Sequence, residues 1–246
     1  MSLVAHWKLD EVSGTSIADS AGSNTGTWAG TGSQALTPRS SKTSTGLLFD
    51  GVGDKVTVPA APSIDANGKT ALTIVAWINP ASDGEGTFGR IVDKVNVDVT
   101  AGYRFYLQSQ SDSLIKLAFD VQQATTDMTA LSNATIIPIN GWSQVVCTYN
   151  EDGDGKGKLY YNGTIVTLGI DTAGVGTIAD DSTVILNIGN NLATNRTFDS
   201  IIDDVRIYDH ALTAREIREL YNNDKDARVL RSRYVPGGDI RKSYER

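Results

Sequence analysis

The alternation of apolar and polar residues predicts β-strands along most of the chain. In residues 4–9, Ala5, Trp7 and Leu9 share one face, the period of two expected of a half-buried strand. Residues 70–78 are densely apolar, so we expect this strand to lie centrally with both faces covered. About a dozen short strands without crossover helices predict antiparallel sheets in a two-sheet sandwich. The further predicted strands are 26–29, 46–49, 55–58, 88–94, 103–108, 114–121, 142–149, 158–162, 184–189 and 201–208.

After the last of these strands, the spacing of apolar residues changes from that of a strand to that of a helix. Thr213 and Glu216, three residues apart, form a capping-box pattern that starts a helix. Ile217, Leu220 and Tyr221 then give a short apolar stripe, which predicts a helix of one to three turns lying on the body of the protein. We expect the body to close around the strand at residues 201–208.

Two regions lack this pattern. Residues 10–45 consist mostly of Gly, Ser, Thr and Asn and predict a long loop with one short strand. Residues 224–246 carry a net charge of +3, against −10 for residues 1–223. We therefore predict one domain over residues 1–223 and a C-terminal basic tail or anchoring arm over 224–246, which contacts other subunits of an assembly. The apolar residues of this arm support a contact: Val229, Leu230, Tyr234, Val235, Ile240 and Tyr244.

Composition excludes several classes of protein. The net charge of −7 argues against nucleic-acid binding, which needs a basic surface. The single cysteine, Cys147, excludes an intrachain disulfide and is expected to be buried. No apolar run approaches the roughly 18 residues of a membrane span. No signal peptide is visible at the start, and the expected location is extracellular or on a virion surface.

Several motifs occur in the order found in a known family. Residues 4–11 read VAHWKLDE, residues 48–51 LFDG, residues 72–78 LTIVAWI, residues 141–146 GWSQVV and residues 159–163 LYYNG. Together with the stretch from Ile201 to Tyr221, this series resembles the laminin-G-like (LamG-type) domains of the concanavalin A-like superfamily. The resemblance implies an all-β jelly roll of two antiparallel sheets that takes ligands on one sheet face or on the rim loops. The fold hosts lectins, adhesion modules and enzymes, so it does not by itself assign a function.

The resemblance also implies a structural Ca²⁺ ion. Asp203 stands where related jelly rolls place a carboxylate on calcium, beside backbone oxygens near Asp10. Asp54 and Asp19 are further candidate ligands, since Ca²⁺ binds six to eight oxygens. The alternative is that these carboxylates cap turns or pair with Arg206.

The acidic residues do not predict catalysis. The chain has six Glu, none in a Glu-x-Asp-x-x-Glu run, whereas glycosidases need two carboxylates beside one bond. Adjacent residues such as Asp203 and Asp204 point to opposite faces of a regular strand. His6 and His210 lack a partnering nucleophile motif. We therefore expect no enzyme, with a polysaccharide hydrolase or lyase as an alternative.

A set of aromatic and planar polar residues lies in or beside predicted loops. Sugars stack on aromatic rings and need paired donors and acceptors for their hydroxyls. The leading prediction is a non-catalytic adhesion module for a glycan or cell-surface polysaccharide. The main alternative is a decoration or fibre protein of a phage virion without essential sugar binding. Separately, the alternative for the individual residues is that the Tyr and Phe are ordinary sheet residues, that the Asn form turns and that Trp28 covers the edge of the core. The candidate ligand-binding residues are Trp28, Phe88, Arg90, Tyr103, Tyr106, Asn190, Asn191 and Arg196.

Overall fold

The computed structural model describes residues 2–11, 13–30 and 46–233, with side chains as far as Lys225. Much of the predicted loop at 10–45 and most of the predicted arm at 224–246 lie outside this description. The first eight strands are β1 (Leu3–Trp7), β2 (Ser16–Ile17), β3 (Gly26–Ala29), β4 (Leu47–Asp50), β5 (Lys55–Val58), β6 (Ala71–Pro80), β7 (Arg90–Val95) and β8 (Gly102–Ser111). The next nine are β9 (Leu114–Val121), β10 (Met128–Ser132), β11 (Ile137–Pro138), β12 (Ser143–Asn150), β13 (Gly157–Tyr161), β14 (Thr164–Ile165), β15 (Leu168–Thr172), β16 (Leu186–Ile188) and β17 (Asp199–Tyr208). A 3₁₀ turn spans Glu85–Thr87, and the α-helix α1 spans Ala214–Arg233.

The strands form two antiparallel sheets, which confirms the predicted all-β sandwich. The seven-stranded sheet has the order β1-β17-β6-β12-β13-β14, and β4 pairs with β17. The ten-stranded sheet has the order β15-β10-β9-β8-β7-β16-β5-β3-β2, and β11 pairs with β9. Because β17 pairs with β1, β4 and β6, the body closes around the last strand as predicted.

The inward faces of both sheets supply one apolar core. Trp7 of β1 and Phe49 of β4 are fully buried there, and Phe105 of β8 meets Phe119 of β9 edge-to-face with ring centroids 6.3 Å apart. The core also contains Cys147, so the expectation for this residue is confirmed. The outward faces carry the remaining features of interest, a second apolar cluster on the seven-stranded sheet and polar residues on the ten-stranded sheet.

Helix α1 covers the outward face of the seven-stranded sheet. Ile217 is fully buried against Val75, Val146 and Tyr160, so the predicted apolar stripe packs as expected. The capping box is also confirmed, because Thr213 N donates to Glu216 Oε2 (2.8 Å) and Glu216 N donates to Thr213 Oγ1 (3.3 Å). In the described part of the chain, no helix is both long and apolar enough to cross a membrane.

The helix is longer than the one to three turns predicted. It has 20 residues and runs across the predicted domain boundary at residues 223 and 224. The apolar stripe ends at Tyr221, but Asp224 holds the next turn by accepting hydrogen bonds from Trp77, Gln144 and Arg206. Polar contacts of this kind leave no periodic apolar pattern in the sequence.

Most of the strands that the sequence patterns did not predict are short or exposed. In β15 the central residues are exposed, so the sequence shows no contrast between an inner and an outer face. Strand β10 alternates between buried and half-buried residues and lies between β9 and β15 in the larger sheet, and its omission from the predicted strands has no explanation in its own sequence. Pairing with distant strands stabilises both segments.

Candidate functional site

A row of polar residues crosses the outward face of the ten-stranded sheet. Asn187 of β16 lies opposite Asp93 of β7, Asp93 opposite Arg104 of β8, and Arg104 opposite Asp120 of β9. The core-facing neighbours in the same strands, such as Phe105, are apolar. The register of four strands therefore assembles the row, and the residues come from positions almost a hundred residues apart.

Two guanidinium groups and an aromatic ring form the centre of this face. The Cζ atoms of Arg90 and Arg104 lie 4.6 and 5.3 Å from the ring centroid of Tyr106, within the range of cation–π attraction. Arg90 Nε donates to Asp93 Oδ2 (2.9 Å), and Arg104 Nε donates to Asp120 Oδ2 (2.7 Å). We call Arg90, Asp93, Arg104, Tyr106 and Asp120 the Arg–Tyr cluster.

An irregularity in β7 places Arg90 in this cluster. The register of β7 with β8 shifts between Arg90 and Val92, and Ile91 and Val92 both belong to the core. Arg90 and Asp93 consequently share the outward face although they are three residues apart. Strict alternation would separate them.

Loops that are ordered by their own side chains border the cluster. Asn96 Oδ1 accepts hydrogen bonds from the backbone N–H groups of Thr100 (2.8 Å) and Ala101 (3.1 Å), which fixes the turn between β7 and β8. Glu85 Oε2 accepts hydrogen bonds from the backbone N–H and hydroxyl of Thr197, which joins the 3₁₀ turn to the loop before β17. These bonds hold both loops beside the sheet face.

Phe88 and Arg196 lie at the rim of the cluster. The Phe88 ring is 37% exposed and its centroid is 6.3 Å from that of Tyr106. Arg196 Cζ lies 5.4 Å from the Phe88 centroid, and Arg90 N donates to the backbone oxygen of Arg196 (3.0 Å). Four of the candidate residues, Phe88, Arg90, Tyr106 and Arg196, are thus brought together.

A small pocket opens beside Arg104, and we call it the Arg104 pocket. Its volume is about 50 Å³. Its lining combines arginine, asparagine and aspartate side chains with aliphatic ones. The lining residues are Arg90, Asp93, Val95, Asn96, Val97, Val99, Arg104, Asn191, Leu192 and Ala193.

Burial and ion pairing set the protonation of the cluster. Burial, with the nearby Asp120 carboxylate, raises the pKa of Tyr106 to about 12, so its hydroxyl is neutral and donates to Asp120 Oδ2 (3.2 Å). Burial alone would lower the pKa of Arg104, but the Asp120 carboxylate more than offsets this and raises it. Arg104 is therefore a permanent cation held in a fixed orientation.

The structure places Trp28 and Tyr103 in the core, not on a ligand-binding rim. Trp28 is 8% exposed and packs edge-to-face on Phe49 at 5.4 Å, which agrees with the alternative that it covers the core. Tyr103 is fully buried, and its hydroxyl donates to the Ile64 backbone oxygen (2.8 Å). Both side chains point inward because strand alternation assigns them the inner face.

Asn190 and Asn191 organise the loop between β16 and β17. Asn190 is fully buried, and its Oδ1 accepts hydrogen bonds from the N–H groups of Asn191 (2.8 Å) and Arg196 (3.0 Å). Its Nδ2 donates to Thr197 Oγ1 (2.8 Å). Asn191 in turn exchanges two hydrogen bonds with Asn195. These side chains shape the rim, and Asn191 also lines the Arg104 pocket.

Sequence reasoning missed Asp93, Arg104, Asp120 and Asn187 as members of the site. A charge inside an apolar strand was the available signal, as in the segments IVDKV and AFDV that contain Asp93 and Asp120. Arg104 and Tyr106, two residues apart, also share a face by simple alternation. Nothing in the sequence of any one segment indicates which strands pair with each other.

The predicted calcium ligands do not gather into one carboxylate cluster. Among the described residues, no group of three or more His, Cys, Asp or Glu side chains is placed to hold a metal ion. Asp10 is exposed, Asp203 and Asp54 are buried, and Asp54 Oδ2 accepts a hydrogen bond from Asp50 N (3.0 Å). These side chains alone do not supply the oxygen shell of a calcium site, which stays a prediction.

Asp19 instead caps a turn beside β1. Its Oδ1 accepts hydrogen bonds from the N–H groups of His6, Ala21 and Gly22, and its Oδ2 from the N–H and Nδ2 of Asn24, all at 2.8–3.0 Å. The carboxylate thus ties the turn after β2 to the first strand. Asp19, a predicted calcium ligand, therefore has the turn-capping role that was the alternative to calcium binding.

Solved structures with this fold include several binding domains. Domain 4 of AbnA, a GH43 extracellular arabinanase from Geobacillus stearothermophilus solved with arabinotriose, matches at a TM-score of 0.62 and 19% identity, over 89% of this chain and 98% of that one. The binding domain of Paraclostridial Mosquitocidal Protein 1 matches at 0.64 and 19%, over 91% and 52%. The botulinum neurotoxin serotype D binding domain matches at 0.64 and 16%, over 91% and 51%. At these identities the likeness shows the fold.

Sequence comparison identifies the family. Adhesion G-protein coupled receptor V1 of Danio rerio is 27% identical over 162 residues, a match that covers 65% of this chain and 2% of the receptor. The chain therefore spans a small fraction of the curated relative it matches. The family model described as the concanavalin A-like lectin/glucanases superfamily, of laminin-G type, matches residues 50–218. The chain belongs to this superfamily.

Proposed function

We propose that this protein is a non-catalytic binding module that holds a glycan on the outward face of the ten-stranded sheet. The observation that carries the proposal is the Arg–Tyr cluster, where cations, carboxylates and an aromatic ring stand together on the centre of a sheet. Asp120 Oδ1 and Asn187 Nδ2 are buried on this row and have no hydrogen-bond partner among the described residues. Because these two atoms have almost no accessible surface, the polar group that a ligand reaches is the partly exposed Arg104, which favours a polar ligand over an apolar one.

Proteins with the same fold support this class of ligand. The arabinanase domain was solved with arabinotriose. Another structural neighbour comes from botulinum neurotoxin type C, whose cell entry depends on interaction with two ganglioside molecules. The arabinanase is extracellular and the relative in Danio rerio is an adhesion receptor, which supports an extracellular location for this chain as part of the proposal.

The arrangement of acids supports binding over hydrolysis. Glycosidases place two carboxyl groups on either side of one glycosidic bond. Here Arg104 lies between Asp93 and Asp120 in the register. Asp93 also uses both oxygens, because Oδ2 accepts from Arg90 and Oδ1 accepts from Val95 N (3.2 Å).

A glycan array followed by affinity electrophoresis tests the proposal. Phe88→Ala removes the exposed ring at the rim, and we expect it to weaken glycan retention about fivefold, the effect of one aromatic contact. Ile165→Ala is the matched control, since Ile165 is 59% exposed on β14 in the other sheet. Equal retention of both variants, or no retention of the wild type on any glycan, would contradict the proposal, and release of reducing sugar would favour an enzyme.

Attachment through the C-terminal arm, to a virion or to another assembly, is a further part of the proposal. Its support is the difference in net charge between residues 224–246 and the rest of the chain. A test must keep Asp224, because its carboxylate contacts the sheet. Truncation after Arg233 is therefore the suitable variant, and unchanged assembly or attachment would argue against the arm.

A further inference from the structure

The Arg104 pocket is too small for a sugar ring and suits a single functional group. Its volume is about 50 Å³, whereas an engineered apolar cavity that accepts a benzene ring measures roughly 150 Å³. A ligand bound across the Arg–Tyr cluster would therefore insert one substituent and leave its ring outside.

Apart from the two arginines, the polar side chains of the pocket are already bonded within the protein, and the two oxygens of Asp93 accept from Arg90 Nε and Val95 N. Asn96 bonds to the turn at Thr100 and Ala101, and Asn191 bonds to Asn195. Among the described residues, Arg104 donates only through Nε, to Asp120, which leaves its two terminal nitrogens for a ligand. Arg90 likewise donates through Nε and one terminal nitrogen. The substituent that completes this pocket is an acceptor.

The charge and shape of the donors select the kind of acceptor. A guanidinium offers parallel N–H groups that match the two oxygens of a carboxylate. Arg196 adds a further positive charge at the rim, over Phe88. The other lining residues include the aliphatic Val95, Leu192 and Ala193, and the carboxylate in the lining, Asp93, already accepts two hydrogen bonds.

We infer that the Arg104 pocket binds the carboxylate of an acidic sugar. This inference rests on the proposed function and names its ligand class. The carboxylate would belong to a uronic acid within a polysaccharide or to a terminal sialic acid. The net charge of −7 repels anions at long range, so recognition comes from short-range contacts with the guanidinium groups and not from steering.

Two pairs of ligands test the inference and distinguish a uronic acid from a sialic acid as the source of the carboxylate. Polygalacturonate is compared with the same polymer after reduction of its carboxyl groups, and sialyllactose is compared with lactose. In at least one pair we expect the acid to bind about tenfold or more tightly than its neutral partner, the effect of a charge-assisted bidentate contact. Dextran sulfate controls for charge alone, and equally tight binding of it would overturn carboxylate recognition.

Two variants locate the effect in the pocket. Arg104→Lys keeps a positive charge beside Asp120 but lacks the parallel N–H groups of a guanidinium. Ala193→Leu fills the pocket from an exposed loop position and leaves the ion pairs intact. Each should remove the preference for the acid, measured as the ratio of acidic to neutral glycan retention, because Arg104 also belongs to the cluster that binds the glycan. Arg215→Gln is the control, because Arg215 is 86% exposed on helix α1 and pairs with Glu219.

The outcomes distinguish this inference from the proposed function. If acidic and neutral glycans bind equally and Phe88→Ala weakens both, carboxylate recognition is wrong and the proposed function stands. If no glycan is retained, both are wrong. If Ala193→Leu folds normally and keeps the full preference for the acid, the carboxylate does not occupy the Arg104 pocket.

Discussion

Arg206 on β17 and Asp224 on helix α1 form a two-pronged ion pair. Arg206 Nη1 and Nη2 donate to Asp224 Oδ2 and Oδ1 at 2.8 and 3.1 Å. Burial alone would lower the pKa of Arg206, but the carboxylates of Asp224 and Asp204 more than offset this and raise it. Asp224 also accepts hydrogen bonds from Trp77 Nε1 and Gln144 Nε2. One carboxylate thus joins the helix to three strands of the seven-stranded sheet.

We expect Asp224→Asn to lower the free energy of unfolding by about 2 kcal/mol, because it removes the charge that three partly buried donors share. Urea unfolding measures the change. Glu219→Gln is the matched control on the same helix, since its pair with Arg215 is exposed and should change stability far less. Equal effects of the two substitutions would mean that the helix is not docked through Asp224.

Lys94 is fully buried between two carboxylates. Its Nζ lies 2.9 Å from both Asp65 Oδ1 and Asp181 Oδ2. Asp181 is itself fully buried and accepts the N–H groups of Ala66 and Asn67. The cluster ties β7 to two loops that are distant in sequence.

We expect Lys94→Met to destabilise the protein by about 3 kcal/mol or more, because it leaves buried carboxylates without their cation. Lys156→Met is the comparison, since Lys156 forms an exposed pair with Asp171 and its loss should destabilise the protein far less. Unfolding midpoints in urea decide the question. A Lys94→Met protein as stable as Lys156→Met would contradict the structural role of the cluster.

The Asp19 cap predicts a pH-dependent contribution to stability. Burial alone would raise the pKa of Asp19, but the N–H groups of His6, Asn24, Ala21 and Gly22 more than offset this and lower it below 3.8. A lowered pKa in the folded state stabilises the protein fully above the unfolded value, and this stabilisation is lost as the pH falls through the folded value.

Asp19→Asn should therefore be less stable than the wild type at neutral pH, and the difference should shrink below a pH of about 4. Thermal unfolding across this pH range measures it. Asp152→Asn, at an exposed position in the hairpin loop between β12 and β13, should show no such trend. A difference that stays constant down to the lowest pH would rule out the ionised cap as its cause.

The predicted calcium site has a direct test of its own. A structural site that includes Asp203 predicts a higher melting temperature in millimolar calcium than in excess chelator, because a ligand bound only to the folded state stabilises it. Asp203→Asn should lose that difference. Identical melting temperatures of the wild type in both conditions would remove calcium from the description of this protein.

The strands, their faces and the cap of the docked helix follow from local sequence patterns. Alternation in residues 4–9 predicts the buried Trp7 and Leu9, and Thr213 with Glu216 predicts the start of α1, because these patterns arise within one segment. The dense run of apolar residues in β6 likewise predicts a central strand covered on both faces, and β6 lies between β17 and β12. Local patterns predict the strands and their buried faces because the burial or exposure of each face selects apolar or polar residues within that one segment.

Which polar residues meet depends on the tertiary structure. The register of β16, β7, β8 and β9 brings Asn187, Asp93, Arg104 and Asp120 into one row, and the irregularity after Arg90 turns that residue onto the same face. Hydrogen bonding between backbones of distant segments sets this register, and it leaves no periodic signal in any one of them. The candidate binding face and the Arg206–Asp224 contact are therefore properties of the fold, although most of the strands that carry them are predictable from their own residues.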